Sequence, residues 1–183
     1  MSTEVTPALP QRIVVIGTSG SGKTTLAKAI ATKLTISHIE LDALHWEPNW
    51  IEAEPAMFLE RVKRATISDR WVTDGNYSQV RDLLWQRADT IVWLDYARTV
   101  VMRRVIWRTL KRGIFREPLW NGNRESLWGS FLTRDSIILW AWQTYERRRR
   151  DYPVLLNQAQ YEHLQVIRLR SPQETHRWFT TIH

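Results

Sequence analysis

Eight residues near the start of the chain, Gly17-Thr18-Ser19-Gly20-Ser21-Gly22-Lys23-Thr24, have the types and spacing to hold a polyphosphate. Glycines let the backbone turn tightly and bring its N–H groups against an anion. An apolar, β-branched run, Ile13-Val14-Val15-Ile16, precedes the loop, and a helix-forming run, Thr25-Leu26-Ala27-Lys28-Ala29-Ile30, follows it. That context adds the unsatisfied N–H groups and the positive dipole end of a first helical turn. Lys23 supplies a mobile cation for β- and γ-phosphates, and Thr24 a hydroxyl ligand for Mg²⁺. The expected nucleotide contacts are therefore Gly17, Ser19, Gly20, Ser21, Gly22, Lys23, Thr24 and Thr25. An ordinary glycine-rich turn would not explain why Lys and Thr follow the last glycine in that order. The chemistry indicated is the handling of ATP with Mg²⁺.

The segments that must position these residues alternate between strand and helix, which argues a parallel sheet with helices on both faces. Strands are expected over 12–16, 37–41, 71–73, 90–94 and 164–169. Helices are expected over 23–34, 56–68, 78–87, 99–112 and 131–150, the last of these breaking before Pro153. A final helix starts near Pro172 with Ser171 as N-cap. Residues 113–129, with Pro118 and glycines at 113, 122 and 129, read as irregular. Asp42, Asp74 and Asp95 each end an expected strand. Ligands of open α/β sheets bind at the carboxyl ends of strands, so the loop, Asp42 and Asp74 should converge on one crevice. Asp95 reads instead as a cap for the helix after it.

At 183 residues the chain has the length of one α/β domain, and 43% hydrophobic residues suffice for a core. The absence of cysteine excludes disulfides and thiolate metal sites. No apolar run reaches the ~20 residues of a membrane span. Residues 1–11 are polar and proline-containing, lack the apolar core of a secretory signal, and read as a loose tail, so a cytoplasmic location is expected. A formal net charge of +7 raises nucleic acid as a partner. The arginines between Arg103 and Arg124 could instead line a phosphate-handling site, and Arg147-Arg148-Arg149-Arg150 reads as a solvated helix end.

Motifs that are absent narrow the choice further. The chain has no Asn-Lys-x-Asp of GTPases, no Leu-Ser-Gly-Gly-Gln of transporter ATPases, and no strand ending in the Asp-Glu pair of many ATP-hydrolysing motors. Asp74-Gly75, and Thr90-Ile91-Val92-Trp93-Leu94-Asp95 followed by a helix bearing Arg104 and Arg108, resemble the corresponding pieces of adenylate kinases. The resemblance implies a P-loop NTPase three-layer fold, with a five-stranded parallel sheet of order 2-3-1-4-5. It makes 113–129 a lid, and places Leu169-Arg170-Ser171-Pro172 near the adenine. Three further pieces, Glu40 to Trp46, Trp71 to Tyr77 and Leu119 to Ser126, resemble a bacterial adenylate-kinase-related family often labelled "DNA topology modulation protein". The Asp42-Ala43-Leu44-His45 piece also resembles gluconate kinase. Asn76-Tyr77-Ser78 stands where adenylate kinases carry Phe-Pro-Arg, a departure that leaves AMP unsupported as acceptor.

What the resemblance implies is transfer of the γ-phosphate of Mg·ATP to a small acceptor: a nucleotide, a nucleoside or a hydroxylated metabolite. Its site residues map to Lys23, Asp42, Asp74, Arg104, Arg108 and Arg124, with Thr24 and Asp74 at the metal. Asp42 either orients or deprotonates an acceptor hydroxyl, or simply caps a turn. His45 is either a structural histidine or an acid–base group. Trp46 and Trp50 either stack on a planar acceptor or join the core, the usual fate in a chain with 11 tryptophans. The competing function is a nucleic-acid-associated ATPase with a basic surface.

Overall fold

A computed structural model describes residues 10–115, 120–123 and 137–182 of the chain. Strand β1, Arg12–Gly17, lies at the centre of a five-stranded parallel sheet. Its neighbours are β5 (Trp71–Asp74) and β6 (Thr90–Leu94), and β2 (Ser37–Glu40) and β7 (Gln165–Leu169) form the edges. The order β2-β5-β1-β6-β7 is the expected 2-3-1-4-5 arrangement, counted over the strands of this sheet.

The central strands are continuous apolar runs because both sheet faces are covered. Side chains alternate between the faces with period 2. Ile13 and Val15 pack with Ala27 and Ile30 of helix α1 (Lys23–Leu34) on one face. Val14 and Ile16 pack on the other with Phe58 and Val62 of α3 (Pro55–Ala65), and with Leu84 and Trp85 of α4 (Ser78–Arg87). Helix α5 (Arg98–Phe115) and α6 (Ile137–Leu156) pack against each other. Helix α7 (Pro172–Thr181) begins as expected: Ser171 Oγ accepts from the Glu174 amide at 3.1 Å, with Pro172 in the first turn.

Five expectations are corrected. Asp42 does not end a strand; it lies in a five-residue helix α2, Leu41–His45, that follows β2. The proline-containing loop after it holds a short antiparallel hairpin, β3 (Trp46–Glu47) with β4 (Ile51–Glu52). Helix α6 runs through Pro153 to Leu156. Proline removes one donor there, but buried Tyr152 holds the helix in place, its ring packed edge-on to Trp93 and its hydroxyl bonded to Asn76 Oδ1 at 3.0 Å. The arginine run therefore sits inside a helix and not at its end. At ~100° per residue its members face different ways. Arg148 is buried and Arg149 reaches Asp95, while Arg150 stays in solvent beside Asp151.

Asp95 also differs from its expected capping role. Its buried carboxylate binds Arg149 at 2.8 Å and Arg168 at 2.6 Å, tying α6 to β7. Most of the 113–129 stretch lies outside the described residues, as do Arg124 and residues 1–9 of the 1–11 tail.

Candidate active site

The glycine-rich loop joins the end of β1 to α1, and its conformation requires its glycines at two points. Gly20 has φ +82°, and a Cβ there would lie 2.2 Å from Val105 Cγ2 on α5. Gly22 caps α1 at φ +98°, with Arg104 Nη1 3.3 Å from where its Cβ would stand. Helix α5 is thus pressed onto the loop. Arg104 and Arg108, one turn apart, both face it: Arg104 Nη1 donates to the Ser21 carbonyl at 2.9 Å, and Arg108 Nη2 to Ser19 Oγ at 3.1 Å. Lys23 Nζ donates to the Thr18 carbonyl at 3.3 Å. Burial, and then the Arg148 guanidinium, hold the Lys23 ammonium down at about 8, against the opposing pull of Asp42 and Asp74.

Asp74 is buried at the end of β5, where the sheet register sets it beside the loop. Thr24 Oγ1 donates to its Oδ2 at 2.5 Å, and His38 Nε2 lies 2.7 Å from its Oδ1. A hydroxyl and a carboxylate side by side at a helix N-terminus are hard oxygen donors of the kind Mg²⁺ takes. Among the described residues no group of three or more His, Asp or Glu could hold a metal by side chains alone. An ion at this site would therefore draw much of its coordination from nucleotide phosphates and water. Asn76 locks the base of the loop: its Nδ2 donates to the Gly17 carbonyl at 2.7 Å, and its Oδ1 accepts from the Gly17 amide at 3.3 Å.

Beyond the carboxylates the site becomes aromatic. Asp42 Oδ1 accepts from the Tyr77 hydroxyl at 2.6 Å, and burial and that charge push Tyr77 above its ordinary value. His45 is buried, edge-on to Trp46 and Phe58 and tilted against Tyr77, and its Nδ1 has no hydrogen-bond partner. Trp46 and Trp50 meet at 5.5 Å between ring centroids, and Trp50 and Trp120 at 6.4 Å. Trp50 adopts φ +59°, a left-handed conformation uncommon for a bulky residue. Asn123 holds it there: its Oδ1 accepts from the Trp50 amide at 2.9 Å, and its Nδ2 donates to the Glu47 carbonyl at 2.8 Å. Asn121 Nδ2 donates to the Trp46 carbonyl. Glu40 is raised above the usual carboxylate range by burial and by Asp74, and the Trp120 indole hydrogen-bonds to it.

One cleft of about 1600 Å³ joins these parts. Of the residues singled out in the sequence, Ser19, Gly20, Ser21, Gly22, Lys23, Thr24, Thr25, Asp42, Asp74, Arg104 and Arg108 all line it. Gly17 lies beneath the loop, against Leu94, and not on the cleft wall. Arg124 lies outside the described residues. Trp46, Trp50 and His45 line the cleft as well, so neither tryptophan is a core residue. Sequence reasoning missed His38, Trp120, Asn123 and Arg148. The basic run did contain Arg148, but its face could not be read without the helix boundary.

The family model of the "ATPase family associated with various cellular activities (AAA)" matches residues 13–104, from β1 into α5. The chain belongs to that family of P-loop nucleotide-binding proteins. It is 27% identical over 128 residues to "Adenylate kinase 2" of Nostoc sp. (strain PCC 7120), covering 54% of this chain and 70% of the relative. It is 26% identical over 108 residues to "Uncharacterized protein YqaC" of Bacillus subtilis, covering 57% of this chain and 60% of the relative. Among solved structures it resembles shikimate kinase from Aquifex aeolicus, with TM-score 0.53, 16% identity, and 93% and 92% of the two chains covered. It also resembles a gluconokinase from Sinorhizobium meliloti, with TM-score 0.51, 21% identity, and 94% and 93% covered. The fold is that of the small P-loop phosphotransferases.

Proposed function

We propose that this chain is an ATP-dependent phosphotransferase that moves the γ-phosphate of Mg·ATP to a hydroxyl of a small acceptor. One observation carries the reading: a single cleft holds both the phosphate loop and a second, aromatic region with its own carboxylate, Asp42. An enzyme that only hydrolyses ATP has no need of the second region. The similarity to a protein named adenylate kinase 2 supports the same class of reaction.

Lys23 and the loop amides bind the β- and γ-phosphates. Arg104 and Arg108, already seated on Ser21 and Ser19, add positive charge where the transferring group becomes electron-rich. Thr24 and Asp74 would hold Mg²⁺, which neutralises charge across the β- and γ-phosphates. Asp42 orients the acceptor hydroxyl and takes its proton, with Tyr77 fixing the carboxylate. Arg124, assigned from the sequence alone, is proposed as a further phosphate contact. Kinship with the proteins labelled "DNA topology modulation protein" is likewise proposed from sequence pieces alone.

Lys23→Ala should reduce acceptor-dependent ADP release by at least about 100-fold, on the scale of losing one preorganised transition-state contact. Transfer that survives this substitution would refute the assignment. The name of the matched family supports ATP hydrolysis as a second reading, and the net charge of +7 makes nucleic acid the partner such an ATPase would have. DNA or RNA would then stimulate hydrolysis with a steep dependence on salt.

A further inference from the structure

We propose, on the phosphotransferase reading, that the acceptor is a hydroxylated amine whose ammonium is held against the Trp46–Trp50–Trp120 wall and the carboxylate of Glu52. Three indoles, meeting edge-on at 5.5 and 6.4 Å, all line the cleft, and indole rings attract cations at their faces. Two carboxylates that line the cleft, Glu52 and Glu40, stand beside them, and of these Glu40 is paired with Lys28 at 3.8 Å. Glu52 stands opposite Trp46 in the β3–β4 ladder. Its side chain is two-thirds exposed, and its one ion pair among the described residues, His45 Nε2 at 3.9 Å, is long. Glu40 hydrogen-bonds to Trp120. The guanidinium groups of Arg104 and Arg108 are bonded to the phosphate loop.

A sugar acid or a nucleoside monophosphate would bring its negative charge against these carboxylates, which costs affinity unless a cation answers it. A hydroxylated amine meets complementary charge on both sides. Its ammonium rests on the indoles and Glu52, and its hydroxyl points to Asp42. The reaction then balances. The acceptor oxygen forms a bond to the γ-phosphorus as its proton passes to the Asp42 carboxylate. The bond from the γ-phosphorus to the β,γ-bridging oxygen breaks, and its electron pair leaves on the β-phosphate of ADP.

Glucosamine, glucose and gluconate are six-carbon polyhydroxylated molecules with charges of +1, 0 and −1, the first two as pyranose rings and the third as an open chain. Calorimetric titration of each into the full chain with Mg·ADP reads binding, and ADP release from Mg·ATP reads transfer. Glucosamine should bind about tenfold more tightly than gluconate, the size of one moderate cation–π and charge contribution. Glu52→Gln, an exposed substitution that threatens no packing, should reduce that preference severalfold and leave Mg·ADP binding unchanged. Gluconate or glucose binding as well as glucosamine, no binding by any of the three, or a preference unchanged in E52Q, overturns the inference. ADP release with a neutral or anionic acceptor, in the absence of an amine preference, sinks the amine and leaves the phosphotransferase intact. Amine binding with no acceptor-dependent ADP release sinks the phosphotransferase instead.

Discussion

Lys23 is held in opposing fields. Burial and Arg148 disfavour its charge and bring its pKa down to about 8, whereas nucleotide phosphates favour that charge. ATP binding above pH 8 must therefore take up a proton. Affinity for ATP is expected to be flat below pH 8 and to fall above it, approaching tenfold per pH unit at most. Titration calorimetry in buffers of different ionisation enthalpy would register the proton uptake, and its absence would show that Lys23 is not the group meeting the phosphates. Asp74 divides its two oxygens between Thr24 and His38. Asp74→Asn should raise the Mg²⁺ concentration needed for half-maximal turnover and cut turnover by on the order of 100-fold. His38→Ala should shift the Mg²⁺ requirement in the same direction by less, with His38→Gln restoring part of it. The loop residues and Asp74 were legible because their order is itself the signal. His38 was not, because a histidine in a strand carries no spacing cue and its partner lies 36 positions away.

At the scale of elements, the phosphate loop is only as well formed as the contact between α5 and Gly20. Gly20→Ala places a methyl 2.2 Å from Val105 Cγ2 at a backbone angle that L residues avoid. It should destabilise the fold by at least about 1–3 kcal/mol and weaken ATP binding, because either the loop or the helix carrying Arg104 and Arg108 must shift. Thermal denaturation and nucleotide titration would register the two effects. Asn123 plays the corresponding part for the aromatic region, holding Trp50 at φ +59°. Asn123→Ala should cost about 1–2 kcal/mol and weaken acceptor binding while nucleotide binding stays close to normal. Helix α1 was legible because the glycine-rich loop fixes its start, and strand β6 because its apolar run is bounded by Asp89 and Asp95. Helix α2 and the hairpin after it were not: five residues of helix and two per strand fall below any periodicity test. The passage of α6 through Pro153 was also hidden, since the contacts made beside it are tertiary, among them the hydrogen bond from Tyr152 to Asn76, 76 positions away.

At the scale of the whole molecule, part of the basic charge has a place inside the fold. Arg149 and Arg168 neutralise buried Asp95, and Arg104 and Arg108 are seated on the loop. A net charge of +7 is therefore weaker support for nucleic acid than it looked in the sequence, where charge could be counted but not located. No helix among the described residues is long and apolar enough to cross a membrane. The sheet order and the convergence of the loop with Asp74 followed from alternation and strand ends, whereas Asp42 reaches the same crevice from helix α2. The joining of that crevice to a tryptophan-walled region depends on contacts between the 46–50 and 120–123 segments, which no local pattern announces.

The most direct measurement is the ratio of phosphorylated acceptor to ADP formed from Mg·ATP, over a panel of small hydroxylated acceptors with DNA and RNA included. A phosphotransferase gives ADP release that depends on one small acceptor, with one phosphoryl group on that acceptor for each ADP. ADP release that proceeds equally without any acceptor, or only with nucleic acid and with free phosphate as the product, would contradict the central claim.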